Sequence, residues 1–287
     1  MNLRSLLFVP GDSERKLAKG ADTGADALVL DLEDAVDIAH LPIARDMVRE
    51  YLLAHDRQTQ QVWVRINPLD SGLALEDLAA VVRGRPDGIL LPKVFGAADI
   101  VLLDNYLSAL ETRDGVNPCT IGIMPVATET PTALFALGSY RGSSKRLRAL
   151  TWGAEDLSAA IGASTNREPN GEYAFTYRLA RSQCLLGAYA AGVAAIDTIA
   201  ANFRDLDALA AEAQASRREG FTGKIAIHPD QVPIINAAFS PDADEVAYAK
   251  RVILAFEQAG GAGTVQLDGA MLDRPHLKQA QQLLARL

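Results

Sequence analysis

Residues 27–34 read ALVLDLED. Four apolar residues run unbroken into an acid, and two more acids follow within three positions. A surface helix would show apolar residues at a period of 3.6, and a half-exposed strand would alternate them. A short continuous run instead suits a strand covered on both faces, as in a parallel sheet. The acids Asp31, Glu33 and Asp34 then stand where that strand ends.

Seven more runs of this kind flank it: Ser5–Val9, Val62–Ile66, Gly88–Leu91, Thr120–Met124, Ala149–Trp152, Val193–Thr198 and Lys224–Ile227. Between them lie longer stretches of helical period, such as Ile43–His55, Ala97–Thr112, Tyr173–Ala191 and Asp205–Glu219. Repeated strand–helix order implies right-handed βαβ units around a parallel sheet. Eight such units match a closed TIM-type (β/α)8 barrel. An open doubly wound sheet is the competing arrangement, although its Gly-rich dinucleotide fingerprint is absent. The pattern changes after Ala238: a helix over Glu245–Ala259, a hinge candidate at Gly260–Gly263, and a last helix from about Pro275. The expected organisation is a catalytic barrel over 1–238 and a C-terminal lid, or oligomerisation arm, over 239–287.

With 36 acidic against 28 basic residues the formal charge is −8, which disfavours non-specific binding to nucleic acid. Cys119 and Cys184 are far apart and form no CxxC pair, so neither a disulfide framework nor a zinc site is expected. The apolar stretch near the N-terminus is too short for a signal h-region, and no run is long enough to span a membrane. The expected location is the cytoplasm.

Polar residues follow nearly every run: Pro10–Gly11–Asp12, Glu33–Asp34, Arg65 and Asn67, Lys93, Glu129–Thr130, Glu155–Asp156, Asp197, and His228. In a barrel these ends converge on one mouth, where active sites sit. Asp12 and Thr130 are equally candidates for helix N-caps. Arg65, Lys93, Glu129 and His228 are not capping types. Asp31, Glu33, Asp34, Glu129, Glu155, Asp156 and Asp197 make this mouth acid-rich, and converging carboxylates repel unless a cation lies among them. Oxygen donors without a Cys/His cluster point to Mg²⁺, with Mn²⁺ possible, rather than zinc. Arg65 beside Asn67 suggests a planar fork for a substrate carboxylate.

These motifs resemble the citrate lyase beta subunit and the malyl-CoA and citramalyl-CoA lyases of the HpcH/HpaI aldolase superfamily. The matching segments are Arg4–Asp12, Leu28–Val36, Val64–Pro68, Ile89–Val94, Ala127–Thr130, Thr151–Leu157, Gly220–Val232 and Gly269–Pro275, in family order along the whole chain. The resemblance implies a TIM barrel, Mg²⁺ held by Glu129 and Asp156, and a coenzyme A thioester as substrate. It implies that Arg65 grips the 2-oxo acid and that Glu33 and Asp34 order the metal's waters. It further implies that Asp273 transfers the proton at the thioester α-carbon, and that the chain assembles as a homotrimer. Lys93, Pro10, Gly11 and His228 join Arg65 as candidate substrate-binding residues. One departure is Thr128–Glu129–Thr130–Pro131, where many relatives have a small or apolar residue before the Glu and Ala or Gly in place of Pro131.

The implied reaction cleaves a 3-hydroxyacyl-CoA such as malyl-, citramalyl- or citryl-CoA to acetyl-CoA and a 2-oxo acid, or makes it by condensation. Other readings stay open: a class II aldolase on free 2-oxo acids, a malyl-CoA thioesterase, a beta subunit working on a carrier-protein thioester, and a barrel that only binds. Lys93 also allows a Schiff-base route.

Overall fold

The computed structural model describes residues 3–56 and 58–285. They form two compact units, Leu3–Asn236 and a second from Ala237 onward.

The first unit is built on eight strands: β1 (Ser5–Pro10), β2 (Ala27–Asp31), β3 (Gln61–Arg65), β4 (Gly88–Leu91), β5 (Gly122–Pro125), β6 (Ala149–Thr151), β7 (Ala194–Asp197) and β8 (Gly223–Ala226). All pair in parallel, in the order β5-β4-β3-β2-β1-β8-β7-β6. The two outer strands meet through isolated bridges rather than a ladder: Ile123 N donates to Arg146 O at 2.8 Å, Arg148 N to Ile123 O at 2.9 Å, and Ala127 N to Thr151 O at 2.7 Å. These bonds close the ring, so the sheet is a barrel. Strands β2, β4, β5, β6 and β8 are buried at every residue, as the unbroken apolar runs require.

Leu6, Val29, Trp63, Leu90, Met124, Ile196 and Ile225 fill the barrel. Trp63 needs two glycines to fit. A Cβ on Gly88 would lie 2.2 Å from the indole, and one on Gly122 3.3 Å from it.

The helices that follow the strands include α1 (Glu14–Gly20), α2 (Leu41–Ala54), α3 (Ala74–Val81), α4 (Ala97–Asp114), α5 (Pro131–Ala136), α6 (Glu155–Ala160), α7 (Phe175–Ala191), α8 (Leu206–Glu219) and α9 (Gln231–Phe239). Their ends follow sequence chemistry. Asp205 caps α8 by accepting from Ala208 N at 3.0 Å, and Gly220 stops it at φ +117°. Thr130 caps α5 by accepting from Ala133 N at 3.2 Å, with Pro131 in the first turn. Asp12 is not a cap; the residue at the start of α1 is Ser13.

The second unit holds α10 (Ala243–Gln258), a hairpin of β9 (Thr264–Leu267) and β10 (Ala270–Asp273), and α11 (Arg274–Leu284). Asp242 and Glu245 form a reciprocal capping box at the start of α10. The two-residue hairpin turn, Asp268–Gly269, has φ of +53° and +82°, the positive pair that a tight hairpin prefers. Ala249, Val252, Phe256, Leu272 and Ala280 make a small core. No described helix is long and apolar enough to cross a membrane.

Candidate active site

Strand alternation puts Arg65 on the same face as Trp63, pointing into the barrel. Its Nε donates to Asp31 Oδ1 at 2.7 Å and its second terminal nitrogen to Asp31 Oδ2 at 2.6 Å. Asp31 also accepts from the backbone N–H groups of Glu33 and Ala35, at 3.0 and 3.1 Å. That turn swings Glu33 and Asp34 onto the remaining edge of the guanidinium, at 2.9 and 3.3 Å. The guanidinium face rests over the Phe8 ring, 4.6 Å from its centroid. The fork is therefore engaged by Asp31, and its remaining edge is paired with Glu33 and Asp34.

Asn67 does not share that role. Its side-chain amide donates to Leu32 O and to Asp77 at the start of α3, both at 2.8 Å. It ties a loop to a helix behind the mouth. Asp197 is likewise removed from the acid cluster. It is buried with Arg181 of α7 at 3.2 Å and Lys224 at 3.5 Å. Its neighbour Ile196 points inward, so Asp197 points outward.

Lys93 holds a left-handed backbone, φ +51°. This sends its N–H to Glu129 Oε2 at 2.6 Å. Its ammonium pairs with Glu33 and reaches Asp34 at 3.3 Å and Asp156 at 3.5 Å. Burial alone would loosen its proton, but the hydrogen bond and charge of Glu33, with Asp156 and Asp34, more than reverse this and raise the pKa. A lysine held charged is a poor Schiff-base nucleophile, which argues against that route.

Glu129 is 5% exposed. Its side chain lies against Gly153, where a Cβ would come within 2.9 Å of its Cγ. Thr128 joins the same loops, accepting from Gly153 N at 3.2 Å. Burial, then the charges of Asp156 and Glu33, push the Glu129 carboxyl up to about 8, although Lys93 N–H opposes this. Burial also pushes Glu33 up to about 7, against Arg65 and Lys93. Carboxyls this reluctant to ionise suit a site that receives a cation. Among the described residues no three acids, imidazoles or thiols form a ready cage. Mg²⁺ fits such a site, since it keeps several waters and needs only one or two carboxylates.

Asp31, Asp34, Arg65, Glu129 and Asp156 line a cavity of 660 Å³, together with Pro10, Glu155, His228 and the apolar Leu7, Val126 and Ile225. His228 is stacked on Phe203 at 4.9 Å. Gly11 supports this mouth from behind: a Cβ there would lie 2.7 Å from Asp31 O. Arg15, Lys16 and Lys19 of α1 line the cavity too. Sequence reasoning missed them, although three cations in five residues directly after the first run were a visible signal. It also missed Trp152 and Tyr173, which line the same cavity. Asp273 lies in the second unit, where its carboxylate is 2.5 Å from His276 Nδ1.

Residues 4–229 match the HpcH/HpaI aldolase/citrate lyase family, and residues 178–287 match a carbon–carbon bond lyase of the TIM-barrel fold. The citrate lyase subunit beta of Leuconostoc mesenteroides subsp. cremoris is 33% identical over 98% of this chain and 92% of its own length. A (3S)-malyl-CoA thioesterase of Cereibacter sphaeroides is 34% identical over 99% and 94%. The crystal structure of the protein CitE from Mycobacterium tuberculosis, in complex with magnesium, acetoacetate and coenzyme A, superposes with a TM-score of 0.80. It is 31% identical and covers 99% of this chain and 98% of that one. The chain belongs to the HpcH/HpaI aldolase/citrate lyase family.

Proposed function

We propose that this family member is a Mg²⁺-dependent carbon–carbon lyase acting on the coenzyme A thioester of a short 3-hydroxy acid that carries a second carboxylate. Malyl-, citramalyl- and citryl-CoA are the candidate substrates, and the products are acetyl-CoA and a 2-oxo acid. The observation that carries this reading is the buried Glu129 carboxyl, raised to about 8, opening with Asp156 on a cavity that also holds Arg65 and three cations of α1.

Glu129 and Asp156 would hold the metal. Bound there, Mg²⁺ supplies Lewis acidity for the oxygens of the 2-oxo acid. Arg65, braced by Asp31, would turn the edge now paired with Glu33 and Asp34 to the acid's carboxylate, and those two acids would then order water. Arg15, Lys16 and Lys19 suit the phosphates of coenzyme A better than a free 2-oxo acid requires. In cleavage the 3-hydroxyl gives its proton to a carboxylate of the mouth and its O–H electron pair forms the carbonyl of the 2-oxo acid; the C2–C3 bond breaks, that bond's pair stays on the thioester α-carbon, and Asp273 gives that carbon a proton. A cytoplasmic homotrimer belongs to the same reading, and sedimentation tests the assembly.

The test incubates the full chain with each thioester, with Mg²⁺ or with EDTA, and follows both products by chromatography. Acetyl-CoA and a 2-oxo acid formed only with Mg²⁺ is the expected result. Free CoA with an intact hydroxy acid would make the protein a thioesterase. Cleavage confined to a carrier-protein thioester would make it a lyase subunit. No carbon–carbon cleavage from any thioester would overturn the proposal.

A further inference from the structure

Beside the metal-binding loops the cavity has an aromatic wall. Trp152 follows β6 directly, four residues before Asp156. Its ring meets Tyr173 edge-on, with centroids 5.2 Å apart at 69°. The guanidinium of Arg167 lies over Tyr173, 4.0 Å from the centroid. Arg167 and Tyr173 are also joined by an antiparallel bridge, which pins the loop that carries the tyrosine. Both aromatic residues line the cavity.

The wall is anchored from outside the barrel. The indole N–H of Trp152 donates to Asp197 Oδ1 at 2.6 Å. Asp197 is itself fixed by four other groups. Its carboxylate accepts from Thr198 N at 3.0 Å, Ser216 Oγ at 2.5 Å and Arg181 Nε at 3.2 Å, and faces Lys224 Nζ at 3.5 Å. Lys224 in turn donates to Thr198 O at 2.6 Å and to Glu212 of α8 at 2.7 Å. A buried carboxylate between two cations is costly to assemble and to break, so it holds its geometry. Nothing in the proposed chemistry uses this cluster, yet one of its hydrogen bonds ends on a cavity-lining ring.

We propose that Trp152 and Tyr173 form the wall that sets the length of acyl chain accepted beside the metal, and that Asp197 is the positioning residue that holds this wall. The inference rests on the thioester-lyase reading above and specifies its substrate class as thioesters of short acyl groups. A rigid aromatic wall rejects added methylenes, and one methylene in an apolar pocket changes discrimination by about ten-fold or more.

The experiment measures binding of CoA, acetyl-CoA and butanoyl-CoA to the full chain by calorimetry in Mg²⁺. Wild type should prefer acetyl-CoA to butanoyl-CoA by at least about ten-fold. Tyr173→Phe keeps the ring and should keep that ratio. Tyr173→Ala removes the wall and should bring the ratio towards one. Trp152→Phe deletes the N–H tie while leaving Asp197 with Arg181, Ser216 and Lys224; it should narrow the ratio without unpairing the buried cations, which Asp197→Ala would do. A purely structural role would weaken all three ligands equally and leave the ratio alone. An unchanged ratio in both Tyr173→Ala and Trp152→Phe, or no acyl preference in wild type, overturns the inference while the lyase reading stands. Failure of wild type to bind any of the three ligands overturns both.

Discussion

The barrel carries two clusters of arginine and carboxylate that use the same residue types to opposite effect. Ahead of β6, at the end where the strands begin, Arg146 is fully buried. It pairs with Glu111 through two bonds of 2.7 and 2.6 Å and with Asp104 at 2.6 Å, and also bonds Ser108 and Ile121 O. Glu111 collects further bonds from the N–H groups of Cys119 and Ile121. Burial alone would raise its pKa, but Arg146 and the Cys119 N–H lower it. At the opposite end, the acids outnumber the cations, and Glu129 and Glu33 are pushed up to about 8 and 7. In one cluster the arginine's bonds outweigh burial and lower the carboxyl's pKa; in the other, burial and neighbouring like charge raise the pKa of two carboxyls. A barrel uses its bottom for stability and its top for chemistry, and this contrast says so in side chains.

The sharpest way to break the contrast is to remove one acid from each end. Glu129→Gln should lower kcat by about 10³ or more, close to 4 kcal/mol. In EDTA its melting temperature should not fall, because a buried repelled carboxyl has become neutral. Full activity of this variant would end the metal assignment. Glu111→Gln should do the reverse. It leaves Arg146 buried and short of its partner, costing about 3 kcal/mol or more in a denaturant titration. The kcat of the folded fraction should be kept. A Glu111→Gln protein of wild-type stability would show that the lower cluster is idle.

The signs of the pKa shifts give the next test. Glu111 is lowered in the folded state, so its contribution is present above the unfolded value and is lost as pH falls. Glu129 and Glu33 are raised, so stability tied to them is present below about 4.5 and lost as pH rises towards 7 and 8. Protein in EDTA should therefore lose stability between about pH 5 and 8, at up to about 1.4 kcal/mol per pH unit for each group. Mg²⁺ should flatten the loss, and Glu129→Gln should remove part of it. A melting temperature that is flat over this range would contradict the account.

The smallest effect belongs to Arg65→Lys. A lysine cannot hold Asp31 with a fork and still present an edge to a ligand. The KM for the 2-oxo acid in the condensation direction should rise about ten-fold, the scale of one lost charge-assisted bond. An unchanged KM would make Arg65 a brace for Asp31 alone.

The sequence carried the barrel because the strand signal is local: each of the eight runs overlaps an observed strand. It carried the mouth less completely, because a strand's end names a residue but not the face it takes. Asp197 lies next to inward-facing Ile196 and so turns outward; counting in twos along the strand would have separated it from Glu129. Asn67 lies beyond the strand, where no period applies, and its partner Asp77 is set by the packing of α3. Tyr173 reaches the cavity through a bridged loop whose path has no repeat to read. The hairpin of the second unit is not legible although Asp268–Gly269 is a turn signal, because its strands are largely exposed and lack the unbroken apolar run of a strand covered on both faces.

A ring gives first at its weakest joint. In this one the joint is between β5 and β6, where a full ladder is replaced by scattered bridges and one threonine stitch from Thr128 to Gly153. Glu129 stands just past one side of that joint and Asp156 just past the other. A cation shared between them would act as the clasp of the hoop. Charging the site with Mg²⁺ would then slow amide exchange at Ile123, Ala127 and Arg148, whose bonds cross the joint, more than on the far side, where β1 and β2 are laced along their whole length.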